Sequence, residues 1–391
     1  MNKYIVKNGS ILRFPGSAAR IALIPLALLL TFGGTGIEAE EHASESFTVL
    51  WQRDGIHFEV TSSGDFELNG EETRIQRVKP GTFVSLRTST ARQSRQVEIS
   101  AGHAGAPQLR FRIGGTEGPG DEASHRWLAG LLPEVVRETG LASGSRVQNL
   151  YRRGGTEAVL AEVDGLDKPR IQRIFLAHLL DVGLANSELV DVVQWAAEGL
   201  PVSGDLASFL FDSAGQLLVG PETREAFLGA AEEVESEEER AGLAAAVLEQ
   251  ASLAIEAREE MIAWALARAE TDAVRIQFLA RIAEMALADV DLQPAFFSGL
   301  STVEWEDRIA QLGASLLTRD SLAVDLKSRV FGATFARLET DNTRAALLVH
   351  LAEPFLGEPE LRSLYLDAAA TVIDSRPRTA VDRALREHGG L

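Results

Sequence analysis

The histidines and the acidic residues beside them are the side chains of this sequence that could carry acid–base or metal chemistry. No two of the seven histidines lie within four residues of each other, so the sequence has no local metal-binding motif. His57, with Asp54 and Glu59 nearby, is the best candidate in the first part of the chain. It lies in the alternating stretch IHFEV, which predicts a strand with His57 on the solvent side. The remaining histidines are His42, His103, His125, His178, His350 and His388.

Three further motifs suggest ligand binding, but each fits a structural role better. The stretch GGTEGPG (114–120) lacks the Lys-Ser/Thr of a phosphate loop and predicts a linker. The run EEVESEEER (232–240) offers carboxylates to calcium but lacks the Asp-x-Asp-x-Asp-Gly spacing, and Ser236 with Glu239 predicts a capping box. The basic pair in RRGG (152–155) predicts a solvated helix end. We therefore assign no catalytic, cofactor-binding or metal-ligating residue from the sequence, and we expect no cofactor.

Composition bounds the class of protein. The chain has 391 residues, 45% of them hydrophobic, which is typical of a folded protein of two or three domains. It has no cysteine, which excludes disulfides, thiolate nucleophiles and cysteine-based metal sites. The formal net charge is −19, and it is uneven: residues 40–153 carry 14 basic and 15 acidic residues, whereas 154–391 carry 20 and 41. An acidic module of this kind disfavours nucleic acid and anionic membrane surfaces and favours either solubility or a basic partner.

Residues 1–39 resemble a signal peptide for export. A basic stretch precedes the apolar run IALIPLALLL (21–30), and Ala39 offers a small residue at a cleavage position. The apolar run is too short to span a bilayer, which takes roughly 20 residues. The sequence predicts a bacterial periplasmic or secreted protein, cleaved near Ala39 and without stable membrane insertion after processing. An uncleaved anchor is the alternative.

Residues 44–113 predict an antiparallel β domain of about seven strands. Short alternating segments are separated by turn pairs such as Asp54-Gly55 and Asn69-Gly70. A Gly/Pro linker at 114–121 follows.

Residues 122–164 predict a connector of three short helices. Gly140 is placed to end the first helix, inside which Pro133 predicts a kink or a break. Ser145 and Gln148 are spaced as a capping box at the start of the second helix.

Residues 165–391 repeat with a period of about 34. Two helices of about four turns fit this length, so we expect a right-handed or gently curved α-solenoid of about six helical hairpins. The predicted fold class is α+β, mainly α. Charged residues recur at the entry of the first helix of each unit, at Arg173, Asp205, Arg240, Arg275, Arg308, Arg344 and Arg378. Aromatic residues recur in the second helix and predict the core between repeats, at Phe227, Trp264, Phe297, Phe331 and Tyr365.

The stretch RWLAGLLPEVVRETGLASGSRVQNLYRRGGTEAVLAEV (126–163) resembles the middle of a group of uncharacterised bacterial envelope and signalling proteins. In that group a short β region precedes this helical segment and α-hairpin repeats follow it. Similar repeats are attached to membrane zinc metallopeptidases that sense β-lactams. The peptidase itself is absent from this sequence, which has no His-Glu-x-x-His. The resemblance implies interaction or sensing and carries over no catalytic residue.

These features favour an exported, non-enzymatic binding or scaffold protein. Its acidic repeat surface would hold a protein or a peptide, with a basic partner among the candidates, in envelope sensing. The alternative is a hydrolase-type enzyme with its site in the β domain or at the junction with the helices, using His57, His103 or His125. A third hypothesis is a structural spacer or a subunit of an envelope assembly. Monomeric and oligomeric states both stay open.

Overall fold

The structure is a computed structural model of the chain, and it confirms the α+β, mainly α class. The predicted apolar run at 21–30, the cleavage site near Ala39 and His42 lie outside the residues that it describes. Within the described residues, no helix is both long and apolar enough to cross a membrane. The chain divides into two compact units, Met1–Val182 and Gly183–Leu391. The described residues are 4–7, 10–12, 46–250 and 253–388.

An antiparallel sheet dominates the first unit. Its eight strands lie in the order β10-β9-β8-β7-β4-β3-β1-β2, and β5 and β6 form a separate hairpin. The seven strands predicted between 44 and 113 are all present, and a two-residue strand lies within the predicted linker. The strands are β1 Tyr4–Lys7, β2 Ser10–Leu12, β3 Phe47–Arg53, β4 Ile56–Ser62, β5 Phe66–Leu68, β6 Ile75–Val78, β7 Phe83–Ser89, β8 Ser94–Ala101, β9 Pro107–Ile113 and β10 Thr116–Glu117.

The register of the sheet places its apolar residues on one face. Val60, Leu86, Val97 and Phe111 are cross-strand neighbours on four successive strands, and all are buried. Because side chains alternate along a strand, the residues between them form a polar outer face. The β5–β6 hairpin contacts β8 and β9 and buries its own apolar residues, among them Val78.

Three helices complete the first unit: α1 Glu122–Thr139, α2 Ser143–Asp164 and α3 Pro169–Leu180. Gly140 ends α1 in the left-handed conformation (φ 80°), as predicted. Of the kink or break predicted at Pro133, the break is wrong, because α1 continues through the proline. Six buried residues hold that helix against its neighbours and offset the one backbone hydrogen bond that proline removes.

The capping box predicted at Ser145 and Gln148 is also wrong. Helix α2 begins after Ala142, and the Ser145 hydroxyl accepts a hydrogen bond from the Leu68 backbone N–H at 3.1 Å instead of capping its own helix. The predicted break between the second and third short helices corresponds to Gly154 and Gly155, whose backbone is non-helical inside α2. The Ser145 hydroxyl, which the local spacing predicts as a helix cap, therefore makes a tertiary hydrogen bond to the β5–β6 hairpin instead.

Twelve helices form the described part of the second unit. Each odd-numbered helix from α5 onward contacts the next odd-numbered helix, and each even-numbered helix contacts the next even-numbered one. Successive hairpins therefore stack, as the repeat period predicts. The helices are α4 Asn186–Gly199, α5 Ser203–Leu217, α6 Pro221–Glu232, α7 Glu237–Leu248, α8 Ile255–Arg268, α9 Asp272–Ala288, α10 Gln293–Ser301, α11 Glu306–Leu317, α12 Val324–Phe335, α13 Asp341–Gly357, α14 Pro359–Ala370 and α15 Ser375–His388.

The predicted aromatic column is part of the core at three of its five positions. Phe227, Phe331 and Tyr365 are buried. Trp264 and Phe297 are only half-buried, so their assignment to the core was wrong. In those repeats Met261 and Phe296 are buried large side chains.

The predicted entry residues lie within the first five residues of the odd-numbered helices α3 to α15. The Arg240 guanidinium donates to the Val234 carbonyl at 2.7 Å, and Arg344 donates to the Leu338 carbonyl at 2.9 Å. Each of these carbonyls lies six residues earlier, in the loop before the helix. At these two positions the arginine ties the loop to the helix that follows it, whereas Arg275 bonds to Asp272 within its own helix.

A second recurrence joins each repeat to the next. The first residue of four successive odd-numbered helices is acidic, and its carboxylate accepts hydrogen bonds from two consecutive backbone N–H groups at the start of the next odd-numbered helix. Asp272 accepts from Glu304 and Trp305, both at 2.7 Å. We call these four residues the seam carboxylates: Glu237, Asp272, Glu306 and Asp341.

Candidate functional site

The histidines that could support an enzyme lie on separate elements. His57 is exposed on β4, on the outer face of the sheet. His103 lies exposed in a single 3-10 turn, and His125 is exposed on α1 with its ring edge-on to Phe111. Within the described residues, no group of three or more His, Asp or Glu side chains could hold a metal ion.

The first unit contains a buried charged cluster between the β5–β6 hairpin and α2. The Arg146 guanidinium contacts Glu72 at 2.6 Å and Glu162 at 2.9 Å, and Glu162 also pairs with Arg137 at 2.8 Å. Burial opposes ionisation of Glu162, but the hydrogen bonds and charges of the two arginines outweigh it and lower its pKa. Two positive and two negative groups balance, so this cluster fixes the hairpin to the helix without leaving charge for a ligand.

The basic pair Arg152 and Arg153 belongs to the same contact region. Arg152 donates to the Asn149 side chain at 3.0 Å, and Arg153 donates to the Gly70 carbonyl in the hairpin loop. The prediction of a solvated helix end is therefore incomplete, because Arg153 holds the loop.

The best candidate site is a groove between α4 and α6 in the second unit. It has a volume of about 780 Å³. Residues spaced three and four apart on each helix form its walls, since such residues share one face of a helix. We call this feature the α4–α6 groove; it is lined by Ser187, Val190, Asp191, Gln194, Ala197 and Glu198 from α4 and by Glu222, Glu225, Ala226, Gly229, Ala230 and Glu233 from α6 and its C-terminal cap.

Four of the residues that line the α4–α6 groove are small. Ala197 on one helix and Ala226, Gly229 and Ala230 on the other leave room that larger side chains would fill. A Cβ added to Gly229 would meet no atom within 4 Å. The two helices therefore contact each other while the space above them stays open to a ligand.

Carboxylates line the α4–α6 groove, and no lysine or arginine accompanies them. All five are exposed, and among the described residues none has a hydrogen-bond or ion-pair partner for its carboxylate. Like charges that share a groove repel one another, and in the protein alone no positive charge in the groove offsets the repulsion among these carboxylates. These five residues, the groove carboxylates, are Asp191, Glu198, Glu222, Glu225 and Glu233.

The next pair of even-numbered helices shows the contrast. Between α6 and α8, Arg224 pairs with Glu260 at 2.5 Å, and Arg268 pairs with Glu232 at 2.9 Å. The acids at that junction are thus neutralised within the protein. The α4–α6 groove has the same acidic lining without the arginines.

Two smaller grooves between odd-numbered helices are less one-sided in charge. The α7–α9 groove contains Glu238 and Arg281, and the α11–α13 groove contains Asp307 and His350. Both are otherwise lined mainly by uncharged residues. His350 therefore lies on an exposed helix face, consistent with a surface role.

The sequence could not single out the α4–α6 groove, because acidic residues are abundant throughout the chain. Asp191 with Glu198 and Glu225 with Glu233 have helical spacing, but so do many other acid pairs. The signal is the lack of basic residues opposite them, which requires knowing that α4 and α6 lie side by side. Comparison with protein-family models, with curated proteins and with solved structures finds no match to this chain.

Proposed function

We propose that this protein is an exported, non-enzymatic binding protein that uses the acidic surface of its helical repeats to hold a basic protein or peptide, in the context of envelope sensing. The observation that carries the proposal is the set of five unpaired groove carboxylates on both walls of one groove. A cationic partner would supply the charges that Arg224 and Arg268 supply at the neighbouring helix pair.

The shape of the site also supports a polymer as the partner. The α4–α6 groove follows the length of both helices and is open along its top, whereas small-molecule sites usually enclose their ligand. Stacked repeats build such extended surfaces from neighbouring units.

Titration of the full chain with a short oligolysine peptide, followed by calorimetry, tests the proposal. We expect binding at about 0.05 M salt that weakens strongly at about 0.5 M, since salt screens exposed charges. An oligoglutamate peptide of the same length should not bind.

A matched pair of variants locates the binding site. In the groove variant the five groove carboxylates become amides (Asp191→Asn, Glu198→Gln, Glu222→Gln, Glu225→Gln, Glu233→Gln), and binding should be lost. The control variant makes the same charge change at exposed acids elsewhere (Asp320→Asn, Glu304→Gln, Glu339→Gln, Glu353→Gln, Glu360→Gln) and should keep most of the binding. Equal loss in both variants, or no binding by the unmodified chain, would overturn the proposal.

A further inference from the structure

Helix α15, the last helix that the structure describes, carries the positive charges that the α4–α6 groove lacks. Helix α15 carries exposed arginines at Arg376, Arg383 and Arg386, and among the described residues none of them has a hydrogen-bond or ion-pair partner. Their spacing of seven and then three residues places them on one side of the helix. Val381 and Ala384, which are buried, lie on the other side.

The spacing of charges on the two surfaces agrees. Asp191 and Glu198 are seven residues apart on α4, and Arg376 and Arg383 are seven residues apart on α15. Both intervals correspond to two helical turns, about 10.5 Å along the axis. An extended segment advances about 3.3 Å per residue, so it would cover this interval in three residues and point its second charge away from the groove.

The side chains between the charges are small on α15 and on the α6 wall. Thr379 and Ala380 lie between Arg376 and Arg383, and Ala226, Gly229 and Ala230 lie between Glu225 and Glu233. Small side chains allow two helices to approach at the short end of the usual 8–10 Å axial distance. Glu387 follows the arginines in the last turn of α15 and leaves the stripe with a net positive charge.

We propose that the α4–α6 groove of one molecule holds helix α15 of a second copy of the same protein. The inference deepens the proposed function, on which it rests, by naming the basic partner. Asp191 and Glu198 would pair with Arg376 and Arg383, and the acids of α6 would face Arg386. The two copies use different surfaces, so the contact is head-to-tail and generates a chain of molecules, or a ring if the geometry closes.

The overall negative charge opposes this association at low ionic strength, whereas the local pairs favour it. At about 0.15 M salt the screening length is about 8 Å, so repulsion between distant acids is largely removed while contacting pairs persist. We therefore expect the strongest association at intermediate salt and its loss at about 1 M.

Sedimentation velocity of the full chain over a concentration series tests the proposal. The unmodified protein should show species larger than a dimer that grow with concentration. Arg376→Gln with Arg383→Gln should be monomeric, and Asp191→Asn with Glu198→Gln should be monomeric as well. An equimolar mixture of these two variants should form dimers and nothing larger, because one supplies the intact groove and the other the intact helix.

Circular dichroism melting of each variant separates loss of association from loss of folding, and we expect unchanged melting because all four sites are exposed. A monomeric unmodified protein at every concentration and salt would overturn the inference. So would association that survives both double variants. A monomer that still binds oligolysine through the groove carboxylates would remove the second copy as occupant and leave the proposed function standing.

Discussion

Glu306 and Thr340 are 34 residues apart in sequence and joined by two hydrogen bonds: the carboxylate accepts from the Thr340 backbone N–H at 3.0 Å and from its hydroxyl at 2.8 Å. Glu237 and Thr271 repeat the same two bonds at the same distances. In both pairs the glutamate is the first residue of an odd-numbered helix, and the threonine is the N-cap of the next odd-numbered helix. Each repeat thus supplies the hydrogen-bond acceptor that the following repeat needs at its helix start.

Replacing Glu306 by Gln should destabilise the second unit by about 1 kcal/mol, because the amide cannot replace all the charge-assisted bonds to the next repeat. Urea unfolding measures the change. Asp307→Asn is the matched control, since Asp307 is the exposed neighbour and has no side-chain partner among the described residues. If both variants unfold alike, the seam carboxylate contributes no more than general charge.

Acidification should weaken the stacking of the repeats. Burial opposes ionisation of Glu237 and Glu306, but hydrogen bonds from Thr271 and Thr340 outweigh it and lower the pKa of each below the ordinary 4.5. The pKa of Asp341 is lowered below 3.8 by the backbone N–H groups of Asp374 and Ile373. A lowered folded-state pKa stabilises the fold above the unfolded-state value and loses that contribution as pH falls through the folded-state value.

Unfolding curves recorded between pH 7 and pH 3 should therefore show a steep loss of stability below about pH 4.5. In Glu306→Gln the loss should be shallower, because one of the titrating seam groups is gone. An identical pH dependence in the two proteins would contradict the role assigned to Glu306.

Replacing Arg146 by Met should cost about 3–5 kcal/mol, since it leaves Glu72 with an uncompensated buried charge, whereas Glu162 keeps its pair with Arg137. Arg146 itself is only 8% exposed. Denaturant unfolding of the full chain in which Trp195, Trp264 and Trp305 are replaced by Phe leaves Trp51 and Trp127 of the first unit as the fluorescent reporters and measures the change. Adding Glu72→Gln to the variant should recover part of the loss. A double variant as unstable as the sum of the two single changes would show that Arg146 and Glu72 do not interact.

Gly313→Ala should destabilise the α11–α12 hairpin, because the new Cβ would lie 2.5 Å from a methyl carbon of Thr334, which is fully buried. Overpacking of this kind costs about 1–3 kcal/mol. Gly332→Ala in α12 is the control: its Cβ would meet nothing within 4 Å, so the change should stabilise the helix by about 0.5–1 kcal/mol. Thermal melting of the two variants should move in opposite directions.

Gly229→Leu should block the α4–α6 groove without harming the fold. Gly229 lies in α6, and a side chain there projects into open space. We expect at least a tenfold loss of oligolysine affinity, measured by calorimetry, with melting unchanged or raised. Gly332→Leu makes the same change at an open helical position away from the groove and should leave the affinity unchanged. Full affinity in Gly229→Leu would place the binding surface elsewhere.

Much of the fold could be predicted because local patterns agree with the tertiary structure. The strands from Phe47 to Ile113 alternate and are separated by turn residues, and the helix starts recur with a period near 34. The residues whose predicted roles are wrong are those whose contacts depend on a neighbouring helix or strand. Ser145 bonds to the Leu68 backbone instead of capping α2, and Trp264 leaves its core position to Met261.

The candidate site was much less predictable. The groove carboxylates differ from other acids only in what faces them, and this depends on the pairing of α4 with α6. The seam carboxylates had a regular period, but Glu237 lies in an acidic run whose capping serine gave the stronger signal. The capping by Ser236 is confirmed, since its hydroxyl accepts a hydrogen bond from the Glu239 backbone N–H at 3.0 Å. The Glu239 side chain does not complete the box but accepts from the Ser203 hydroxyl at 2.6 Å.

The seam carboxylates alternate between Glu and Asp, so the hydrogen-bonding pattern of the seam repeats every four helices. Glu237 and Glu306 are 69 residues apart, as are Asp272 and Asp341, and both aspartates begin helices of 17 residues. An in-frame excision of residues 272–340 would join Thr271 directly to Asp341 and keep the Glu237–Thr271 bonds. Removing the four helices α9 to α12 as one unit should therefore shorten the solenoid and keep the hydrogen-bonding pattern of the seam.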